Sequence, residues 1–472
     1  AGVVQYAGDL YVRGGRAGEV AYFLDGANIT NPLTNTSNFN ITPETIEEIQ
    51  LQTGGMSAEL GRANSGVVQT ITRSGGPKLK VTLNYLTDDF AKPGQQFAGT
   101  SSYGQRVGAL TLGGPLFSGV RFFLAGHHDY IRNRQVMFLE PFKFTGLTDD
   151  GLSVRKVNPL TGKGDSLPGP FEFKENYIPN NWNLNNSANG NLIFDLEQLV
   201  NMPLKVRLSG YYSFSKSPQG STWIDLAPVA TGVASNYFRL DRIPMNETNT
   251  GLANLRVTHI ISPTTFYELG VSYNYRKSVT FDPAFEDNYL SYMDSVANAK
   301  KGYTGFKNRY EGPNVYSTIF KFLFNAPNTP NNSYSKEKQT GLGFTLDFTT
   351  QTTKSWELKA GGSLDTWTMR TFSIGDIANY LIFLDPNRDG VIDQTFANEY
   401  EKRVRLLRSG NIATYGYDYL GNETGGYTLS GSSATLDPPY KPIFASAYVQ
   451  NKVEYKDLIL NIGVRYEYYD PK

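Results

Sequence analysis

A run of oxygen-bearing residues near residue 390 has the spacing of a calcium-binding loop. Gly390 occupies the position of the sharp turn, and Phe396 replaces the usual acidic residue at the end of such a loop. Two interpretations stay open: a bound Ca²⁺ ion that stiffens a long loop, or an Asp/Asn-rich turn that binds nothing. The candidate metal ligands are Asp385, Asn387, Asp389, Val391 (through its carbonyl) and Asp393.

The other residues that could do chemistry form no catalytic site. His127 and His128 fall in one predicted strand and therefore point to opposite faces, and His259 is alone in another, so they are poor metal ligands. Gly164 stands where a phosphate-binding loop would need Ser or Thr after Lys163. The chain has no Cys and none of the common hydrolase or metalloprotease motifs. The sequence predicts no enzyme.

Charge and composition exclude several other classes of protein. Lys plus Arg and Asp plus Glu both number 44, so the chain has no basic field for nucleic acid. No run of 18 apolar residues predicts a transmembrane helix, and the first residues do not have the pattern of a signal peptide. The 31 Tyr, 28 Phe and 47 Gly fit a chain made mostly of sheet.

From about residue 78 onward, segments of about ten residues have an apolar side chain at every second position. In one of them Leu204, Val206 and Leu208 alternate with polar residues, which predicts a strand with one apolar face. Eleven such strands are predicted, near residues 78–86, 105–113, 120–131, 188–198, 203–215, 252–261, 265–277, 338–350, 354–370, 442–454 and 457–469.

The connections between these strands alternate strictly between long and short. Such parity is expected of an outer-membrane β-barrel with tight periplasmic turns and long extracellular loops, whereas a β-sandwich has no physical reason to keep it. Because an odd number of strands leaves an open edge, we expect further strands outside this sequence or in another chain. The long connections are 87–104, 132–187, 216–251, 278–337 and 371–441, and the short ones are 114–119, 199–202, 262–264, 351–353 and 455–456.

The first 76 residues lack this pattern and predict a small α/β domain. Strands are expected at 9–13, 19–24, 46–52 and 67–72. Thr42 followed by Pro43 has the pattern of a helix start.

Residues 10–76 carry a resemblance to a known family. The runs LYVRGGRAGEVAYFLDGANITNP and ITPETIEEIQLQTGGMSAELGRANSGVVQTITRSGG resemble the second half of the plug domain of TonB-dependent receptors. The run AYVQNKVEYKDLILNIGVRYEYYDP resembles the mid-barrel hairpin of that family. The pair YGQRVGALTLGGPLF and VRFFLAGHHDYIRNR resembles early strands of the large receptors of Bacteroidota.

The resemblance implies a transmembrane antiparallel barrel of about 22 strands with the α/β plug inside its lumen. Residues 1–76 would be the C-terminal half of the plug, and 77–472 the first half of the barrel. The implied function is active import of a large or scarce nutrient across the cell outer membrane, gated by the plug and energised by TonB–ExbB–ExbD. The implied surroundings are outer-membrane lipid and lipopolysaccharide, with a surface lipoprotein or larger complex as a further partner and no nucleic acid.

Two alternatives to import follow from the same residues. A receptor-like barrel could serve as a structural or accessory subunit of a larger outer-membrane complex. A passive porin is disfavoured because the plug would block it.

Four plug charges are candidates for contact with the barrel wall: Arg13, Arg16, Glu59 and Arg62. By resemblance they pair with charges of the wall and hold the plug, an interpretation favoured over the alternative that they contact the substrate. The Asn/Thr-rich segment 27–40 either reaches toward the binding cavity or is an ordinary solvated loop.

Overall fold

The computed structural model describes most of the chain. Its description covers residues 2–6, 9–37, 39–54, 57–93, 95–133, 143–144, 171–172, 177, 180–219, 237–303, 316–319, 322–325, 328–385, 387, 401, 412–425 and 438–471. Among these residues, no helix has the length and apolar character needed to cross a membrane.

The main element is one antiparallel sheet, here called the wall, whose strands follow each other in chain order. A short strand, Ile412–Tyr415, pairs with one end of β9 beside this series. The eleven wall strands are β1 Lys80–Thr87, β2 Arg106–Phe117, β3 Val120–Ile131, β4 Asn183–Asp195, β5 Leu204–Pro218, β6 Met245–Ser262, β7 Thr265–Phe281, β8 Tyr334–Thr353, β9 Trp356–Ile374, β10 Ile443–Tyr455 and β11 Leu458–Asp470.

Each of the eleven predicted strands matches one wall strand, but several begin or end further toward the long loops. β6 starts at Met245 and β8 at Tyr334, ahead of the predicted starts at 252 and 338. The first residues of β6, MNETNTG, are mostly polar, so the apolar alternation stops while the backbone ladder continues. The sequence therefore located the apolar band of each strand and missed its polar extension.

The two faces of the wall differ in chemistry. Residues directly opposite each other in register share a face, and one such row contains mostly small polar side chains. The other face is apolar and open, with Leu208 42%, Leu346 51% and Val464 74% exposed. The polar row reads Asn191, Ser209, Asn254, Ser272, Gly343 and Asp365.

The turns at one end of the wall are tight. Two residues each separate β2 from β3, β6 from β7, β8 from β9 and β10 from β11. Gly119 takes φ 77° in the first of these turns, a left-handed conformation that favours glycine, and the ladder shifts register between Pro115 and Phe117 just before it. The β4–β5 connection holds one short helix, Leu196–Val200.

The plug is a four-stranded sheet that lies against the polar face of the wall. Its strands, in spatial order, are Ala27–Asn28, Val20–Leu24, Gly66–Thr72 and Ile46–Gln52. Val20–Leu24 and Gly66–Thr72 run parallel. A hairpin of Val3–Tyr6 and Asp9–Val12 precedes the sheet. The small core consists of Val12, Val20, Ala21, Leu24 and Val67, each at most 1% exposed.

The predicted helix start at Thr42 is a single 3-10 turn, Pro43–Thr45. Proline fits the first helical position, but the residues from Ile46 alternate in polarity and continue as a strand. A second 3-10 turn covers Ala17–Glu19. The described plug thus consists of strands and 3-10 turns.

At the long-loop end of the wall, connecting segments fold into an apolar cluster, here called the loop core. It contains the helix Ile377–Leu384, and the helix Ser295–Lys300 lies in the same end. Short 3-10 segments occur at Tyr237–Arg242 and Tyr289–Ser291. Small strand pairs are Gln96–Phe97 with Thr100–Ser101, Lys143–Phe144 with Phe171–Glu172, and Tyr316–Ile319 with Phe322–Asn325. The loop core itself comprises Val279, Phe281, Tyr289, Tyr292, Met293, Tyr334, Phe372, Ile374, Ile377, Ala378, Tyr380, Leu381, Leu384, Ile412 and Tyr417.

A fully buried ion pair ties the loops together. Arg242 donates to both carboxylate oxygens of Asp282 at 2.7–3.0 Å and to Asn298 Oδ1 at 2.7 Å, with both charged side chains 0% exposed. The Asn331 backbone N–H also donates to Asp282, at 2.9 Å. Because removing one partner would leave an unpaired buried charge, these loops are held in one arrangement.

Candidate functional site

One plug segment is held by the side chains of β10 and β11. Gln450 Oε1 accepts hydrogen bonds from Ser57 Oγ at 2.7 Å and from the Ala58 N–H at 2.8 Å. Arg465 Nη1 donates to the carbonyls of Ala58 at 3.1 Å and Glu59 at 2.9 Å. Side chains of the wall therefore satisfy backbone groups of a loop that has no ladder partner of its own.

Arg62 lies at the end of the same segment and contacts the wall in three ways. Its guanidinium is 3.1 Å from Asp365 Oδ2 and 3.7 Å above the Phe444 ring, and its backbone N–H donates to Glu467 Oε1 at 3.1 Å. Burial lowers the pKa of the Arg62 guanidinium, and the Asp365 carboxylate opposes this shift. A second ion pair joins Glu59 to Lys359 of β9 at 3.5 Å. Together these contacts form the first anchor of the plug.

A second anchor lies at Asp25, in the turn that follows the plug strand Val20–Leu24. Asp25 has φ 50° and is 6% exposed. Its carboxylate accepts from the Thr72 N–H at 2.9 Å and the Thr72 hydroxyl at 2.6 Å, and pairs with Arg207 of β5 at 3.1 Å. Arg207 also donates to the Thr72 carbonyl at 2.9 Å. Asn254 of β6 donates to the Asp25 carbonyl at 3.1 Å.

A cavity of about 230 Å³ separates the plug from the wall between these two anchors. Arg62 and Asp25 border it from the plug, and Arg256, Glu268 and Asp347 from the wall. Arg256 and Glu268 form an ion pair at 2.5 Å across β6 and β7. The plug is thus fixed at two charged points with a largely polar-lined cavity between them.

The 27–40 segment is packed at its base and exposed at its tip. The Tyr211 hydroxyl of β5 donates to the Asn40 carbonyl at 2.5 Å, and the Tyr211 ring meets Phe39 edge to face at 5.3 Å. Asn31 Nδ2 donates to Gln339 Oε1 of β8 at 3.3 Å. Leu33 is 53% exposed. Of the described plug segments, this one contacts the wall nearest the long-loop end of the strands. Its role in binding stays a prediction.

The structure separates the four predicted plug charges into two groups. Glu59 and Arg62 contact the wall as described above. Arg13 donates from Nη1 to the Thr53 carbonyl at 2.7 Å, and the Arg16 N–H donates to Glu19 Oε2 at 3.0 Å, both within the plug. Contact of Arg13 and Arg16 with the wall stays a prediction.

The predicted calcium loop lies mostly outside the described residues. Asp385 ends the helix Ile377–Leu384 and is 2% exposed, and Asn387 is also described. Asp389, Val391 and Asp393 lie outside the described residues. In the part of the chain that is described, no group of three or more His, Asp or Glu residues could hold a metal. Binding of Ca²⁺ by the 385–393 loop stays a prediction.

Comparison with protein families gives two matches to this chain, at its two ends. Residues 2–68 match the model described as the TonB-dependent receptor plug domain. Residues 285–472 match the model described as the TonB-dependent receptor-like β-barrel. Together the two matches take in more than half of the chain. The chain belongs to the TonB-dependent receptor family. Such a barrel lies in the outer membrane, so the apolar face of the wall is the lipid-facing face and the polar face lines the lumen.

Similar proteins agree with this family and with the fold. The chain is 26% identical over 170 residues to the TonB-dependent transporter Oar of Myxococcus xanthus, a match that covers 34% of this chain and 16% of that protein. The FrpB iron transporter of Neisseria meningitidis superposes with a TM-score of 0.51 at 14% identity, covering 96% of this chain and 51% of that one. The siderophore receptor PirA of Acinetobacter baumannii gives 0.52 at 13% identity, covering 98% and 50%. The chain therefore spans about half the length of these solved receptors.

Several residues of the two anchors were not predicted from the sequence. Asp25, Arg207 and Asp365 were not singled out as plug or wall contacts. A charged residue at a lumen-facing strand position itself indicates a candidate contact with the plug, because each such charge must find a partner or water. Arg465 carries the same indicator, whereas Gln450 is uncharged and does not.

Proposed function

We propose that this chain is the plug-bearing part of an outer-membrane active transporter that imports a scarce polar nutrient. The observation that supports this most is the pair of charged anchors, Arg62 to Asp365 and Asp25 to Arg207, with polar space between them. An immovable stopper would be packed with apolar side chains. Charged and hydrogen-bonded contacts can instead exchange with water when the plug shifts.

The work of shifting the plug has to come from outside the chain. Loss of one partner from a largely buried ion pair costs about 2–3 kcal/mol, less than in a fully buried pair, and two such pairs would keep the plug closed at rest. We propose that the TonB–ExbB–ExbD system supplies this work, as the family name implies. The plug sheet would move as the anchors release, and the cavity beside Arg256 and Glu268 gives the side chains room to re-pair.

The lumen above the plug indicates the class of ligand. Gln339 contacts Asn31 at the top of the plug. The space over the plug is therefore lined by two rows of lumen-facing residues: those in register with Gln339, and those in register with Glu337, two residues nearer the long loops. The charged residues in these rows are Arg276 and Glu337, which pair at 3.6 Å, and Asp129 at the β3 end of the Glu337 row. We propose that the ligand is uncharged and rich in hydroxyl or amide groups, because hydroxyls and amides of the wall would hydrogen-bond it. The neutral residues are Ser213, Thr250, Gln339, Ser215, Thr248 and Ser278.

The names of the solved relatives do not decide the ligand. FrpB is an iron transporter and PirA a siderophore receptor, but at 14% and 13% identity they share the fold with this chain. The neutral lining is the feature of this chain itself that bears on the ligand.

Uptake assays test this function directly. Cells that express the complete receptor would be given fluorescent neutral oligosaccharides and neutral peptides, with a ferric siderophore as the charged comparison. We expect accumulation of a neutral probe in cells with TonB and none in cells without it. Equal accumulation in both strains would contradict active import. A stoichiometric partner protein without any uptake would instead support the accessory-subunit alternative.

Asp25→Asn tests the role of the anchor in gating. Asparagine tolerates the left-handed backbone at this position, so the variant removes the charge with little strain. We expect a loss of about 2 kcal/mol in plug anchoring and a roughly 30-fold rise in leakage of a large antibiotic that the plug normally excludes. Asp457→Asn, in the β10–β11 turn, is the matched control. Unchanged leakage in Asp25→Asn would refute the gating role.

A further inference from the structure

The wall holds the two sides of the plug by different kinds of contact. Beside β5 and β6 the contact is apolar, because Tyr211 and Leu252 of the wall, 4% and 6% exposed, pack against the plug. These two residues form a cluster, here called the apolar contact, with the plug residues Leu24, Ala27, Ile29 and Phe39, each at most 8% exposed. Separating this cluster would expose apolar surface to water, which is unfavourable.

The covalent link from the plug to the wall lies on this same side. Asn191 Nδ2 of β4 donates to the Arg73 carbonyl at 2.6 Å, and Arg121 Nη1 of β3 lies 3.5 Å from the Gly75 carbonyl. The second anchor, at Arg207 of β5, is here as well. Because the chain runs from the plug through this link directly into β1, this side of the plug stays next to β3–β6.

The first anchor is on the opposite side of the plug, against β9, β10 and β11. None of residues 57–62, all of which the structure describes, is buried. They meet the wall through hydrogen bonds, ion pairs and the contact of Arg62 with the Phe444 ring. Water can take the place of each hydrogen-bond partner as the groups separate. The plug is therefore easier to separate from the wall at the first anchor than at the apolar contact.

We propose that the plug opens on one side only: the first anchor separates from β9–β11 while the apolar contact and the link stay in place as the pivot. The ligand then passes between residues 57–62 and the wall. This inference rests on the import function proposed above and adds the place where the ligand crosses the lumen. In such a turn the first anchor moves furthest, and the second anchor, close to the pivot, moves least.

The face of β9 and β10 that this motion uncovers suits a neutral polar ligand. The Ser363 and Ser446 hydroxyls hydrogen-bond each other at 2.7 Å, and Gln450 lies on the same face. Arg465 Nη2 donates to Ser446 Oγ at 2.7 Å, and its Nη1 loses the plug carbonyls when the first anchor separates. Hydroxyl, amide and guanidinium groups then hydrogen-bond the hydroxyls and amides of the ligand.

Tethers across each side of the plug test the proposal in cells that express the complete receptor. A Cβ atom on Gly463 would lie 2.7 Å from the Ala58 Cβ, so Ala58→Cys/Gly463→Cys places a disulfide across the first anchor after a small shift. Leu24→Cys/Leu252→Cys, joined by a short bifunctional thiol reagent, is the matched tether across the apolar contact. We expect the first tether to abolish uptake of the neutral probe until reductant is added. The second should leave uptake at the rate of the untethered receptor.

Arg73→Cys/Asn191→Cys beside the link gives another pivot-side tether if the leucine pair fails to fold, and it should also leave uptake unchanged. Recovery on reduction shows that the Ala58→Cys/Gly463→Cys variant is folded. Uptake that continues with the first-anchor disulfide formed would overturn the proposal. Loss of uptake under both pivot-side tethers would overturn it as well.

Labelling of the purified receptor tests one-sided release without any uptake. Single cysteines replace Ala58 in the first anchor or Ala27 in the apolar contact, and each is also combined with Arg62→Ala. We expect Arg62→Ala to speed modification of Ala58→Cys by a soluble thiol reagent roughly tenfold or more and to leave that of Ala27→Cys unchanged. Equal acceleration at both sites would show that the plug moves as one body and would overturn the proposal. Absence of uptake, with acceleration confined to Ala58→Cys, would instead refute import and leave the one-sided release in place.

Discussion

The ion pairs of this chain differ in how far they are removed from water, and the difference determines what each contributes. Arg62 and Asp365 have side chains 18% and 13% exposed, and the guanidinium also stacks on Phe444. Arg106 and Asp89, in contrast, are 56% and 44% exposed at a rim of the wall. Solvent screening makes a pair of the second kind worth about 0–1 kcal/mol.

Replacement of Arg62 by alanine tests the first anchor at the scale of one side chain. The change leaves the Asp365 carboxylate without its partner in a largely buried site, so we expect plug docking to lose about 2–3 kcal/mol. Hydrogen exchange of the plug amides around Glu59 would report the loss as roughly 30- to 150-fold faster exchange. Arg106→Ala is the matched control and should change the exchange of the plug by less than twofold. Equal exchange in both variants would contradict the anchor.

At this scale the sequence predicted part of the site. Arg62 and Glu59 were singled out because they are charges of a domain expected inside a polar lumen. Their partners Asp365 and Lys359 could not be assigned, because pairing depends on the height of each strand relative to the plug. Asp25 was hidden for another reason: its turn conformation alone explains an aspartate there.

The link from the plug to β1 passes unusually close to the wall backbone. A Cβ atom on Gly75 would lie 2.8 Å from the Gly114 carbonyl oxygen and closer still to that of Phe122, whereas one on Gly76 would meet nothing nearer than 4.0 Å. Arg121 Nη1 lies 3.5 Å from the Gly75 carbonyl. The link thus positions the plug relative to β2 and β3 through a contact that a side chain would block.

Gly75→Ala tests this contact at the scale of the element. Because backbone atoms on the wall cannot move aside cheaply, we expect a cost of about 1–3 kcal/mol and a displaced plug. The measurement is the resistance of the plug to added protease in detergent-purified receptor, with Gly76→Ala as the control. Full resistance in Gly75→Ala would show that the link is not under this constraint.

The strands themselves were the most predictable elements. Each apolar alternation marks the part of a strand that must face lipid, so all eleven strands could be located. The polar extensions of β6 and β8 could not, because hydrogen bonding of the ladder continues where the apolar requirement has ended. The loop core was also missed. Its members come from five separate stretches of the chain, and several, such as Val279 and Phe372, are continuations of lipid-facing strand patterns.

For the molecule as a whole, the two faces of the wall have different roles. The lumen face provides the partners of the plug, from Arg121 on β3 to Arg465 on β11, so the wall curves around the plug. The outer face is an apolar band that ends below the loop core. The sequence indicated the two faces through alternation and the plug through family resemblance. The sequence did not indicate the anchors' geometry. Neither the alternation nor the resemblance shows which position along a strand lies level with a given plug residue.

Spin-label accessibility along β8 tests this account most directly. The chain has no cysteine, so single cysteines can be introduced at 343–348 without other changes. In the receptor reconstituted in lipid, labels at Phe344, Leu346 and Phe348 should collide with dissolved oxygen, which concentrates in the bilayer. Labels at Gly343, Thr345 and Asp347 should be shielded from it by the plug and the lumen. An accessibility without a two-residue period, or with the opposite phase, would contradict a lipid-facing wall that encloses the plug.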